Sequence, residues 1–194
     1  MGFLPFFDTF VTIERRSCFA SVNERAPMPE PTPLQTLLDT LPQCGRVEWI
    51  GIRPARGEPV QTLDSVAVTI GKGLEGDRFK GRETSKRQVT LIQQEHLHAI
   101  ASCLQREAIA PEIFRRNIVV SGLNLLALKG KHFRIGNVVL EYTGLCHPCS
   151  KMETALGPGG YNAMRGHGGI TTRVVEGGEL ALGDEVQALL IPQP

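Results

Sequence analysis

The sequence has almost no excess charge, no long apolar run and few cysteines, and each shortage excludes a class of protein. Twenty-one Lys+Arg against 20 Asp+Glu leave a formal net charge of +1. A large nucleic-acid footprint needs a basic excess that this balance lacks. No apolar stretch approaches the ~18 residues of a membrane span. The five cysteines, at 18, 44, 103, 146 and 149, are an odd number with one close pair. That is not a disulfide framework, and it fits a reducing cytoplasm. General disorder is excluded in turn by 41% apolar and 21% charged residues, ordinary proportions for a globular chain. A chain of 194 residues has the length of one domain, with or without an extension.

Residues 1–32 read as a poorly ordered N-terminal extension ahead of a single domain over 33–194. The opening Gly2-Phe3-Leu4-Pro5-Phe6-Phe7 lacks the basic leading region of a secretory signal, because the first basic residues are Arg15 and Arg16. Met28, just before Pro29, Pro31 and Pro33, is a second candidate start.

Beyond the prolines, Leu34, Leu37, Leu38 and Leu41 recur at helical spacing, with Thr32 as N-cap and Pro33 at the first helical position. Strands are predicted at 47–52, 66–70 and 88–92. The third runs into a helix on which Leu97, Ile100, Ala101 and Leu104 share a face. The second half reads as short β-branched segments at 117–120, 131–135, 138–142, 170–175 and 185–190. Gly136-Asn137 and Gly183-Asp184 supply the positive φ angles of tight turns between apolar runs. Helices do not alternate regularly with strands, which disfavours a doubly wound sheet. The pattern predicts a β-rich α+β chain: a strongly curled, barrel-like mixed β-sheet with a few peripheral helices.

Chemistry concentrates in four segments. Cys146-His147-Pro148-Cys149 puts two thiols at the end of a predicted strand, where a helix begins and its unpaired N–H groups favour a thiolate. Lys151 and His147 push the same way. Such a thiol suits a nucleophile, a redox partner or a soft-metal ligand. A structural zinc site would need a second cysteine pair, and a thioredoxin-like dithiol would need a long βαβ remainder; two cysteines packed in a core are the plainer alternative. The loop from Gly71 to Lys86, with Arg78 and then Arg87, offers glycines and positive charge to an anion but lacks P-loop spacing. Arg115-Arg116-Asn117 offers a bidentate fork for phosphate and an amide for a heterocycle edge, with one of the two arginines expected at the surface. Arg165 and His167, in a Gly-flanked loop, are candidates for lining a pocket.

Taken in order, Gly76-Asp77-Arg78, Arg87-Gln88-Val89, Arg115-Arg116-Asn117-Ile118 with Gly122, Cys146-His147-Pro148-Cys149, Arg165-Gly166 and Gly183-Asp184-Glu185-Val186 resemble the MOSC family, named for the C-terminal domain of molybdenum cofactor sulfurase. The resemblance covers roughly residues 45–190 and is closest to the small stand-alone bacterial members. It implies a barrel-like fold that binds the molybdenum cofactor (molybdopterin), a pterin carrying a dithiolene and a phosphate. It implies Cys149 as the functional thiol that ligates molybdenum, with Cys146 and His147 as further catalytic candidates. Arg78, Arg87, Arg115, Asn117, Lys151 and Arg165 are then the cofactor contacts. The implied activity is reduction of small N-hydroxylated substrates. A sulfur carrier holding a persulfide on Cys149, or a non-catalytic cofactor carrier, is the alternative. No pyridoxal-phosphate domain or ferredoxin-type motif accompanies the thiols, so a separate electron-donor or sulfur-donor protein is expected. All of this requires Cys149 to face an open, cationic cleft.

Overall fold

Aliphatic and β-branched residues recur in short runs bounded by glycine, and most of these runs pair as strands. In the computed structural model, which describes residues 30–189, helix α1 (Pro33–Asp39) precedes β1 (Gly45–Ile52), β2 (Gln61–Leu63), β3 (Ser65–Thr69), β4 (Gly73–Leu74) and β5 (Val89–Gln93). Helix α2 (Gln94–Cys103) follows β5 directly. After a 3-10 turn at Pro111–Phe114 come β6 (Ile118–Ser121), β7 (His132–Ile135) and β8 (Val138–Leu145). Helices α3 (Ser150–Leu156) and α4 (Gly160–Ala163) lead to β9 (Ile170–Glu176), β10 (Gly178–Ala181) and β11 (Glu185–Leu189). The extension expected at the N-terminus falls, up to residue 29, outside the described residues. Among the described residues no helix is long and apolar enough to cross a membrane.

Seven strands close into a ring in the order β1, β11, β7, β8, β9, β5, β6 and back to β1. Every pairing in the ring is antiparallel except β5 with β6, where the crossover through α2 returns the chain in the same direction. β2 adds to the second half of β1, and β10, β3 and β4 form a separate three-stranded sheet. The result is the curled, barrel-like mixed sheet with peripheral helices that the strand spacing implied. Closure leaves the ring without free edges.

Two hydrophobic layers hold it. Val89, Leu91, Ile118, Val120, Phe133 and Leu140 belong to the barrel interior. Alternate residues of the same strands, Ile92 and Val119, point outward and pack with Leu97, Ile100, Phe114 and Met152 under the helices. Burying each such side chain contributes about 1.5–3 kcal/mol. The two Gly-Asx turns meet each other: Asp184 accepts from the Ala181 N–H at 2.8 Å, and a Cβ at Gly136 (φ +53°) would lie 2.5 Å from the Asp184 carboxylate.

One rung of the ring assembles the site. Leu145 lies opposite Ile170, Ile170 opposite Leu91, Leu91 beside Ile118, and Ile118 opposite Ile50. Cys146, Gly168, Gly169, Arg116, Asn117 and Arg53 all flank that rung, so residues far apart in sequence become neighbours.

Candidate functional site

Arg116 is at the centre. Its side chain is 7% exposed, and its guanidinium donates only to backbone carbonyls: Nε to Gly168 at 2.7 Å, Nη1 to Phe114 at 3.0 Å and Nη2 to Cys146 at 3.0 Å. The preceding residue makes this possible. Arg115 ends the 3-10 turn in the left-handed region (φ 58°, ψ 32°), reversing the chain so that the next side chain enters the protein. A non-glycine residue there costs roughly 1–2 kcal/mol, which the surroundings must offset. The sequence reading expected one of these arginines at the surface. Neither is fully exposed: Arg115 is half-buried and Arg116 is buried.

Carbonyls satisfy the guanidinium's hydrogen bonds without cancelling its charge. Burial pushes the Arg116 group below the ordinary arginine range, its electrostatic coupling to Cys146 and then Cys149 pushes it back up, and Arg115 and Arg87 press it down. Arg53 is lowered mainly by burial, with Asp77 opposing and Arg115, Arg78 and Arg116 adding to the lowering. Five guanidinium groups therefore share one field. Among the described residues none of the five forms a close ion pair with a carboxylate.

Asp77 and Asn117 frame the other side. Asp77 accepts from the Arg53 N–H at 2.9 Å and the Phe79 N–H at 3.1 Å, and Arg78 N–H donates to the Arg53 carbonyl at 2.7 Å. The Gly76-Asp77-Arg78 turn is thereby fastened to the end of β1. Asn117, 4% exposed, accepts from Thr90 N–H (3.1 Å) and the Thr90 hydroxyl (2.8 Å), and donates to Gly51 O (3.3 Å) and Asp77 Oδ1 (3.4 Å). Its amide, expected to meet a heterocycle edge, is taken up inside the protein. Further along the loop, Gln88 donates to the Glu83 carbonyl at 2.7 Å, and the Thr143 hydroxyl donates to the Lys86 carbonyl, tying the basic loop to β8.

The thiols follow the end of β8. A register shift between Tyr142 and Gly144 marks an irregularity in its pairing just before Cys146. The Cys146 N–H donates to Gly169 O at 2.8 Å, and Pro148 is buried, which anchors the turn between the cysteines. Cys149 is the N-cap residue of α3 with extended backbone (φ −133°, ψ 175°), and its side chain makes no capping bond. Both thiols are free; Cys146 is half-buried and Cys149 exposed. His147, Lys151 and Arg165 are exposed and form no side-chain hydrogen bond or ion pair among the described residues. Arg87 is exposed and Arg78 half-buried. A depression of about 430 Å³ lies elsewhere, between the end of α2 and α4 beside Cys103 and Asn162. No group of three or more His, Cys, Asp or Glu that could hold a metal comes together among the described residues.

The arrangement offers one exposed soft donor, a second thiol nearby and a surplus of positive charge. Arg53 and the inward role of Arg116 were missed by sequence reading. The signal for Arg53 was its place directly after the apolar run of β1, and for Arg116 the doublet ahead of β6.

In overall structure the chain is similar to the YuaD protein from Bacillus subtilis, at 21% identity and a TM-score of 0.65 over 76% of this chain and 97% of that one. It is similar also to YiiM from Escherichia coli (20%, 0.59, 77% of this chain and 72% of that one) and YiiM from Geobacillus stearothermophilus (18%, 0.58, 75% of each). No curated protein matches it in sequence. A family model described as the MOSC domain matches residues 75–187, from the basic turn through most of β11, and the chain belongs to the MOSC domain family.

Proposed function

We propose that this protein binds the molybdenum cofactor on the face around Arg116, with the Cys149 thiolate as the protein's ligand to the metal, and reduces N-hydroxylated bases or amidoximes with electrons from a separate donor protein. The carrying observation is a buried guanidinium without a carboxylate counter-ion, in the field of two free thiols. A buried charge is costly unless balanced. An anionic ligand carrying phosphate and a soft metal fits that donor set: guanidinium groups for phosphate and a thiolate for the metal. When bound, the cofactor supplies the two-electron chemistry that removes oxygen from an N–O group.

The chain's own residues have separate tasks. Arg78, Arg87 and Arg115 bind the anionic part of the ligand, and Lys151 and Arg165 add positive charge at its margin. Asn117 positions: it orients Asp77, and through Asp77 the turn that carries Arg78. Arg116 holds the Cys146 carbonyl and with it the turn leading to Cys149. His147, exposed between the thiols, is the candidate donor of the proton that the departing oxygen requires.

Molybdenum and pterin are expected to co-purify with protein from a molybdate-fed host, and the product to reduce an N-hydroxylated base when given an electron donor. Cys149→Ser should abolish the activity, and Cys146→Ser should leave most of it. Wild-type behaviour of both variants sinks the thiol assignment. Cyanide-labile sulfur on Cys149 with no molybdenum would instead assign a sulfur carrier, and bound cofactor without turnover a carrier protein.

A further inference from the structure

His96, in the first turn of α2, meets His167 edge to face, with ring centroids 4.9 Å apart and planes at 72°. The Nδ1 atom of each ring is buried and has no hydrogen-bond partner. Neither ring belongs to the arginine–cysteine group, yet His167 is joined to it through the backbone. Gly168, the next residue, gives its carbonyl to Arg116 Nε at 2.7 Å, and Gly169 gives its carbonyl to Cys146 N–H at 2.8 Å. The segment has no slack. A Cβ at Gly168 would lie 2.2 Å from the Cys146 carbonyl oxygen, and one at Gly169 would lie 1.9 Å from the Leu91 carbonyl oxygen.

An imidazolium has N–H donors on both nitrogens, whereas a neutral ring can leave one nitrogen unprotonated. The pair provides no acceptor for an Nδ1 proton. Burial is the main reason that His96 stays below the ordinary imidazole range; His167 adds to the lowering, and Glu95 on the same helix opposes it. Glu95 is itself held by the Gly122 N–H at 2.8 Å. On the far side of Gly168 the groups packed against the segment are the Arg116 guanidinium and Cys146.

We infer that the His96–His167 pair is a positioning device for the Cys146–Cys149 segment: it holds the segment while the His96 ring is neutral and releases it when that ring takes a proton. The sign follows from where the proton binds better. Opening the contact hydrates the His96 imidazole, which then takes a proton at the ordinary value of about 6.5, whereas burial in the closed contact resists that proton, so acid below that value drives opening and higher pH keeps the segment closed. Opening strips Arg116 of the Gly168 carbonyl and Cys146 of its backbone acceptor.

The test reads the chain alone, so it stands or falls separately from the cofactor reading. Amide hydrogen exchange at Cys146, corrected for the intrinsic pH dependence of exchange, is compared at about pH 7.5 and about pH 5.0. Protection should fall by roughly threefold or more at the lower pH, in the direction that the burial of His96 sets. In His96→Phe, which keeps a ring but cannot protonate, protection should be flat between the two. An equal fall in the variant overturns the proposal. Should that variant not fold, the imidazole proton resonances of the parent decide. His96 titrating below the ordinary range, in step with the exchange change, supports the device, and titration of His96 at the ordinary value overturns it.

Discussion

The barrel interior is lined by the strands and the cationic face by residues just outside the strand ends, yet opposite means hold them. Ile118 and Val120 of β6 point into hydrocarbon, while Arg116 and Asn117, just ahead of them, are almost as deeply buried and polar. Hydrocarbon needs volume and exclusion of water. A buried guanidinium or amide needs each donor matched. Arg116 finds its partners in three backbone carbonyls, and Asn117 finds them in Thr90, Gly51 and Asp77. Because carbonyls bond without neutralising, the positive field survives at the surface. The interior therefore sets how stable the fold is, and the polar side of the rung is where the proposed ligand would be held.

Substitutions should separate these two roles. The largest stability effect is expected for Phe133→Ala, which empties the interior and should cost about 3–5 kcal/mol in chemical denaturation. Molybdenum retained per folded chain should not change. Arg116→Leu breaks both regions at once: it strands the carbonyls of Gly168, Phe114 and Cys146, should cost about 1.5–3 kcal/mol, and should eliminate cofactor retention. Asn117→Ala leaves the half-buried Thr90 N–H without its side-chain acceptor. A loss of about 1–2 kcal/mol with partial loss of retention is expected, read by denaturation and metal content together. Cys149→Ser sharpens the comparison most, since the exposed sulfur makes no capping bond: stability should stay within about 0.5 kcal/mol while retention is lost.

Much of the fold was legible where local chemistry and tertiary packing agree. Thr32 caps α1 by accepting from the Gln35 N–H at 3.2 Å with Pro33 at the first position, as the spacing predicted, and the thiols do lie between a strand and a helix. Strands β2, β4 and β10 were not read. Gly73–Leu74, for example, lies inside a charged loop with no periodicity and becomes strand only by pairing with Val68 and Thr69. The site was legible as a set of residue types but not as an arrangement. Nothing in the Arg115-Arg116 doublet says which side chain turns inward, because that is decided by the positive φ of Arg115. The engagement of Asn117 depends on partners 27, 40 and 66 residues away, separations that short-range patterns do not encode. The His96–His167 contact was invisible for the same reason.

Molybdenum X-ray absorption on the cofactor-loaded parent and on Cys149→Ser is the most direct test of the central claim. The account predicts a sulfur neighbour of the metal beyond the cofactor's own dithiolene pair, present in the parent and missing in the variant. An unchanged sulfur shell in loaded Cys149→Ser protein would contradict it.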